Sequence, residues 1–260
     1  MMILSLSVPY LCILLIHRFV CIVASSIPPQ QFLDLSGGPI LRNATIADVS
    51  AIVDIVDAAF SPSAPTKYRY QFKDKYPQEH RRCMYEAYLE VFDPEYVYVQ
   101  VIELPASSGR GDSKPVSVAA WVDGKKVPTS DMQGWNQWNS GSALSSKCTH
   151  KDENATRAAD WQQKFAKEHN KYLNDVYGHN QFYLAVLATH PDFQGRGYGE
   201  QLVLSGIEMA PILDLDTVTL IATPVGEPVY FSLGFRPIAN ISITSVDEDM
   251  AFPFDVMVYP

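Results

Sequence analysis

The sequence predicts one mixed domain of strands and helices, α/β or α+β in class. Segments rich in β-branched and aromatic residues, 96–104 (YVYVQVIEL), 116–122 (VSVAAWV), 182–189 (FYLAVLAT) and 216–222 (DTVTLIA), alternate with segments whose apolar residues recur at helical spacing. Of 260 residues, 47% are apolar and 19% charged, which is material for one sizeable core. No internal repeat interrupts the alternation.

Taken in order, residues 40–44 read as a first short strand. Thr45 then opens a helix, with Asp48 at capping-box spacing in place of the usual Glu. Ile46, Val49, Ile52, Val53, Val56 and Phe60 fall at helical period, so this helix is expected to bury one face, and Pro62 and Pro65 interrupt it. The polar, aromatic stretch to Phe92 predicts one or two helices, with a substrate-covering element as one use for them. A strand follows over 96–104, then a turn-rich hairpin loop over 105–115 and the returning strand over 116–122. The Arg110-Gly111-Asp112 triplet reads as the hairpin tip. Residues 123–156 are long, polar and aperiodic, with Trp135 and Trp138 inside, and a loop of that length is functional or disordered. Ala158, Trp161, Phe165, Tyr172 and Val176 predict a long helix over 157–177, ending before Gly178.

The first 38 residues stand apart, as an apolar leader and a linker, with the domain expected over 39–260. Residues 3–24 are mostly apolar with His17 and Arg18 inside, followed by small residues and then Pro28 and Pro29. A signal peptide or anchor, a poorly packed extension, and a start placed too far upstream all fit. The segment has no Lys or Arg before its apolar run, and Arg18 is costly within a membrane span. Asn43, Asn154 and Asn240 head Asn-x-Ser/Thr sequons that matter only in a secretory setting.

Charge and cysteines narrow the function classes. The formal net charge of −9 excludes the basic footprint of a nucleic-acid binder and mildly favours a cationic amine as partner. Of four cysteines, Cys12 and Cys21 lie in the leader. Cys83 and Cys148 are far apart with no metal-ligand spacing, so two unrelated thiols are expected, a Cys83–Cys148 disulfide being the other reading, and no metal is expected.

The chemistry concentrates in residues 182–211. A strand runs into His190-Pro191-Asp192-Phe193, then Gln194-Gly195-Arg196-Gly197-Tyr198-Gly199, then a helical pattern (Leu202, Val203, Gly206, Ile207, Ala210) stopped by Pro211. Strand, glycine turn and helix together make an anion site, because unpaired N–H groups and the positive end of the helix dipole face outward at a helix start. The lack of side chains at Gly195, Gly197 and Gly199 leaves the backbone open to a pyrophosphate, and Arg196 adds a cation. The dinucleotide pattern Gly-x-Gly-x-x-Gly fails here: from Gly195 its last position falls on Glu200, and from Gly197 on Leu202. The Gly-Lys-Ser/Thr of a P-loop is absent. What stands is Gln-x-x-Gly-x-Gly, through Gln194, Gly197 and Gly199.

That pattern resembles the coenzyme A loop of the GNAT superfamily of acyl-CoA N-acyltransferases. The resemblance extends to the next strand, 216–222, and to Pro228-Val229-Tyr230-Phe231-Ser232-Leu233-Gly234-Phe235, similar to that family's second signature, a short helix with a tyrosine four residues before Gly-Phe. It covers about 40–60 and 95–260 and is densest over 182–237. It implies a twisted, mostly antiparallel sheet of six to seven strands with helices on both faces. It also implies acetyl-CoA as co-substrate, bound by Gln194, Gly195, Arg196, Gly197, Tyr198 and Gly199 at its pyrophosphate. Backbone groups of Leu187, Ala188 and Thr189 would hold the pantetheine and polarise the thioester, where the central strand splays from its neighbour. Tyr230 takes the position of the catalytic acid: a phenol of ordinary pKa about 10 can protonate a leaving thiolate without being ionised at neutral pH. The expected reaction is acetyl transfer to a primary amine by direct attack, in the cytoplasm where acetyl-CoA is supplied. A non-catalytic acyl-CoA-binding module and a secreted or anchored protein reusing the fold are the alternatives. Glu103 is a candidate relay for the amine proton, His190 a titrating loop residue, and Trp121, Trp135 and Trp138 candidates for an acceptor pocket, with Trp121 better suited to the core.

Overall fold

The structure is a computed structural model that describes residues 38–92, 95–105, 113–127, 148–247 and 249–260. The leader, the Arg-Gly-Asp tip and Trp135 and Trp138 lie outside the described residues. Among those residues the chain forms seven strands, β1 (Ile40–Asn43), β2 (Val97–Leu104), β3 (Lys114–Asp123), β4 (Gln181–Thr189), β5 (Thr217–Ala222), β6 (Arg236–Thr244) and β7 (Ala251–Tyr259). They build one sheet in the order β1-β2-β3-β4-β5-β7-β6. Every neighbouring pair is antiparallel except β4 and β5. The helices are α1 (Val49–Phe60), α2 (Ala64–Arg69), α3 (Pro77–Val91), α4 (Ala155–His169), α5 (Tyr198–Ile212) and α6 (Glu227–Ser232). No helix among the described residues is long and apolar enough to cross a membrane.

Strand alternation divides the core. On one face Trp121, Phe182, Leu220, Ala222 and Met257 pack against Leu202, Val203 and Ala210 of α5 and Tyr230 of α6. On the other, Val101, Val118 and Ala120 meet Ile52, Ile55 and Val56 of α1, while Tyr183, Phe254 and Val256 meet Trp161 and Phe165 of α4.

The predicted first helix begins one turn late. Ile46–Asp48 form a 3-10 turn, in which the Thr45 N–H donates to Asp48 Oδ2 at 2.7 Å, and α1 starts at Val49. Ile46, expected on the buried face, is instead 64% exposed, because it precedes the α-helical phase. Val176 is also misplaced by simple periodicity. A π turn over Asn170–Asn174 follows α4, so Leu173 takes the buried place and Val176 turns out to solvent. Pro211 does not stop α5 before itself; the helix carries it as its penultimate residue.

The closest approach of helix to sheet is at Gly206. A Cβ built there lies 2.1 Å from the Trp121 indole, which itself stacks on Phe182 at 4.9 Å. Only glycine lets α5 lie this low over β3. Gly206→Ala is therefore expected to lower stability by about 1–3 kcal/mol through overpacking. Urea unfolding checks this: the midpoint should fall with little change in slope.

Candidate functional site

β4 has two partners for half its length and one for the rest. Its parallel pairing with β5 runs only from Gln181↔Thr217 to Leu184↔Leu220, whereas its pairing with β3 continues to Ser117↔Thr189. The separation begins at a bulge. Ala120 faces Val186 and Trp121 faces Leu184, so Ala185 is an extra residue, and a bulged strand bends. The direction of the free backbone groups follows from the ladder. The His190 N–H donates to the opposed Val116 carbonyl at 2.9 Å, which makes that a hydrogen-bonded pair. By alternation, Leu187 and Thr189 sit at non-bonded pairs with β3, and their N–H and C=O groups point into the gap toward β5. Ala188 presents its groups to β3, and its carbonyl also accepts from Ser117 Oγ at 3.1 Å. Of the groups facing the gap, the Thr189 carbonyl accepts from Gln194 Nε2 at 2.9 Å.

The glycine loop abuts this gap. After a 3-10 turn over Pro191–Phe193, Gly195 and Gly197 take φ of +72° and +78°, and nothing lies within 4 Å of a Cβ built on either. Gly197 is the N-cap of α5 with no side-chain cap, so the N–H groups of Tyr198, Gly199 and Glu200 are open at the helix start. A Cβ on Gly199 would sit 3.7 Å from both Leu187 Cδ2 and Thr189 Oγ1, which puts the helix start directly against the free end of β4. Arg196 is exposed, donates from Nη2 to the Asp192 carbonyl at 3.1 Å and lies 5.3 Å from the Phe193 ring centroid. Tyr198 contributes only its backbone here, since its ring is buried in the core under α5. The arrangement is a row of N–H donors continued by an open strand edge, a fit for a pyrophosphate joined to an extended, amide-bearing chain.

Tyr230 belongs to the same apolar cluster, against which Leu187 packs. Its ring lies 5.7 Å from Phe235 and close under Gly226. Burial pushes its hydroxyl pKa well above the ordinary phenol value, so the group stays a proton donor.

No protein-family model matches the sequence, and no curated protein matches it. Solved structures do. A mosquito arylalkylamine N-acetyltransferase-like protein superposes with a TM-score of 0.56 at 13% identity, over 85% of this chain and 99% of the other. A Drosophila melanogaster polyamine N-acetyltransferase gives 0.54 at 12%, over 85% and 99%. A histone acetyltransferase HPA2 and related acetyltransferase from Corynebacterium glutamicum gives 0.51 at 22%, over 85% and 96%. The fold is that of the GNAT acetyltransferases. Within the GNAT fold, the gap and the glycine loop meet at one end of β4, and Tyr230 lies in the apolar cluster against which Leu187 packs.

Other sequence candidates fall elsewhere or have other work. Glu103 is tied to Arg42, whose guanidinium also grips Asp48 through Nη1 and Nη2 at 2.8 Å each. A carboxylate so paired is a brace between β1, β2 and the start of α1 and a poor proton relay. His190 Nδ1 accepts the Asp192 N–H at 3.3 Å and caps its own turn. Trp121 is core. Asn154 is engaged at both ends of its amide, accepting from Arg157 N–H at 3.2 Å as the N-cap of α4 and donating to Gln71 at 2.8 Å.

Two groupings had no sequence signal. His80 is buried between Asp152, 2.7 Å from Nδ1, and Asp57, 3.2 Å from Nε2, and Lys73 also reaches Asp57. Those carboxylates hold the His80 pKa above its ordinary value despite desolvation. Cys83 and Cys148, expected as unrelated thiols, are neighbours beside His150. Only tertiary packing of α3 against the segment leading into α4 unites these residues, so no local spacing could reveal them.

The brace at Arg42 makes a pH prediction. Bonds from Arg42 and the Thr45 N–H lower the Asp48 pKa below the usual carboxylate value. A depressed pKa contributes stability that is present above the unfolded value, about 3.9, and is lost as pH falls through the folded value. Arg42→Met should therefore cost roughly 1–2 kcal/mol at pH 7 by leaving half-buried carboxylates unpaired. In chemical unfolding the difference from the native protein should shrink below pH 4.

Proposed function

We propose that this chain is an acetyl-CoA-dependent N-acetyltransferase acting on a primary amine by direct attack. One observation carries the reading: the edge of β4 at Leu187 and Thr189, which β5 does not pair, is continuous with the uncapped, glycine-lined start of α5. Acetyl-CoA supplies a thioester, which the amine converts to an N-acetyl amine and the coenzyme A thiol.

The chain's own groups divide the remaining work. The N–H groups of Tyr198, Gly199 and Glu200, with the helix dipole behind them, hold the pyrophosphate, and Arg196 swings from Asp192 to join them. The β4 edge takes the pantetheine as an added strand would be taken. The Leu187 N–H, fixed by the β3 ladder, is a preorganised donor for oxygen charge that develops during attack. Tyr230 gives its proton to the departing sulfur, and its raised pKa keeps that proton in place until then. Glu103 is not assigned the amine proton, because Arg42 holds it. The acceptor is a small amine, with cationic amines favoured by the net charge of −9. Nucleic acid is not a partner in this reading, and the cytoplasm is its setting because acetyl-CoA is made available there.

Calorimetric titration of acetyl-CoA into the native protein is the first test. Saturable binding is expected, and no binding by a folded chain overturns the reading. Arg196→Glu is the discriminating variant, because Arg196 is exposed, whereas substituting Gly197 also strains a φ of +78°. It should weaken binding about tenfold at low salt, and less at high salt, with melting unchanged.

Tyr230→Phe tests the chemistry. It should lower kcat by about 100-fold while leaving acetyl-CoA affinity intact. In the native protein the pH–rate profile should show no fall from Tyr230 ionisation below about pH 10, since the folded pKa lies above that ordinary value. Binding without turnover on any amine would leave the chain an acyl-CoA-binding module.

A further inference from the structure

Two cysteines distant in sequence meet a histidine on the α3 side of the molecule. Cys83 lies within α3, and Cys148 and His150 lie in the segment that leads into α4. One donor atom from each, two sulfurs and an imidazole nitrogen, all fall within 4.8 Å of one another. A tetrahedral zinc ion, with bonds of about 2.3 Å to sulfur and about 2.0 Å to nitrogen, holds such atoms about 3.5–3.8 Å apart. Closure therefore asks for a contraction of roughly 1 Å, within reach of side-chain rotation.

We propose that Cys83, Cys148 and His150 form a binding site for a zinc-type divalent cation. Donor chemistry selects the class: two thiolates and an imidazole suit a borderline-soft ion with a tetrahedral preference and do not suit magnesium or calcium. The surroundings select the charge. Glu79, one helical turn before Cys83 on the same face of α3, places Oε1 3.6 Å from Cys83 Sγ, and Arg82 pairs with the same carboxylate at 2.9 Å. Glu153 Oε2 lies 4.0 Å from His150 Nδ1, beyond hydrogen-bond reach, and brings a second carboxylate to the site. Asp152 is fully buried, and its Oδ1 has no hydrogen-bond partner among the described residues. The site is also braced. Thr149 donates to Glu79 Oε1 from its N–H at 3.2 Å and its hydroxyl at 2.5 Å, which fixes the turn between Cys148 and His150 against α3. The His150 backbone N–H donates to the Cys83 sulfur, a bond that favours the thiolate.

Binding displaces one proton from each thiol, so one cation enters and two protons leave. Burial and the adjacent Cys148 raise the Cys83 pKa. The bound ion would clip α3 to the entry of α4. A Cys83–Cys148 disulfide is the competing product of the same proximity. It needs a two-electron oxidant such as oxidised glutathione.

The test uses the full-length chain, purified with reductant and without chelator. Elemental analysis should find about one zinc per chain, and added Co2+ should give a thiolate-to-cobalt charge-transfer band in the near ultraviolet. Cys148→Ser, at a half-exposed position, should keep the native circular dichroism while losing the band and weakening zinc at least 100-fold. His150→Ala should weaken it at least tenfold. A folded native chain with no band, in which Cys83 and Cys148 both react with a thiol reagent, overturns the proposal. So does metal-free protein, purified without reductant, in which peptide mapping finds Cys83 joined to Cys148.

Discussion

The structure turns on a strand that is released from one neighbour while the other holds it. Hydrogen bonding to β3 continues to the end of β4, and pairing with β5 stops at Leu184. A sheet that closed fully would leave no donors to offer. A sheet that opened on both sides of β4 would leave donors in no fixed direction. The bulge at Ala185 produces the intermediate condition, because the extra residue turns the strand away from β5 while the register with β3 resumes at once. Unpaired backbone groups are costly when kept from water, so an edge of this kind is poised for a ligand chain that pairs with it.

The rest of the fold can be read as support for that edge. α5 brings its uncapped start against Leu187 and Thr189, and it reaches that place only because Gly206 lets it lie on Trp121. Gln100 of β2 adds a polar anchor, donating to Ser205 of α5 at 2.9 Å. On the opposite face, α1 covers the same part of the sheet, with Ile52, Ile55 and Val56 against Val118, Ala120 and Ala188. The charged knots at Arg42 and His80 lie on the α1 side. They tie elements together, the first linking β1, β2 and the start of α1, the second α1, α3 and the approach to α4. Such buried pairs contribute little net stability over apolar packing, but they fix which groups lie next to one another.

How much of this was legible in the sequence depended on whether the signal was local. Strand β4, the glycine loop and α5 follow one another without interruption, so this strand–turn–helix unit, the candidate anion site, could be read from residues 182–211. Glycine was expected there to leave the backbone bare, and the positive φ of Gly195 and Gly197 adds a second reason that the motif did not state. Periodicity failed where the helical phase changed, at the 3-10 turn holding Ile46 and the π turn before Val176. β6 and β7 were obscured by Pro237 and Pro253. Pro237 is tolerated because β6 is an edge strand, and Pro253 lies beyond the stretch of β7 that pairs with β5. Tyr198 looked like part of the loop's binding surface, yet as the first residue of a helix lying on the sheet its ring must enter the core. Glu103, His80 and the two cysteines depend on partners dozens of positions away, and no single-chain pattern encodes such meetings.

Tyr230 and Leu187 illustrate why one environment can serve two opposite needs. The apolar cluster buries the Tyr230 ring, and partly buried Leu187 packs against it. For the phenol, desolvation penalises the charged form, so the proton is retained. For the backbone N–H, a chain bound in the gap would exclude water and so strengthen its interaction with negative charge that forms nearby. A solvated site would weaken the donor and bring the phenol closer to ordinary titration. A fully closed one would admit no substrate. The split of β4 from β5 reconciles these demands, because it opens the cluster along one strand edge and leaves its packing on both faces of the sheet intact.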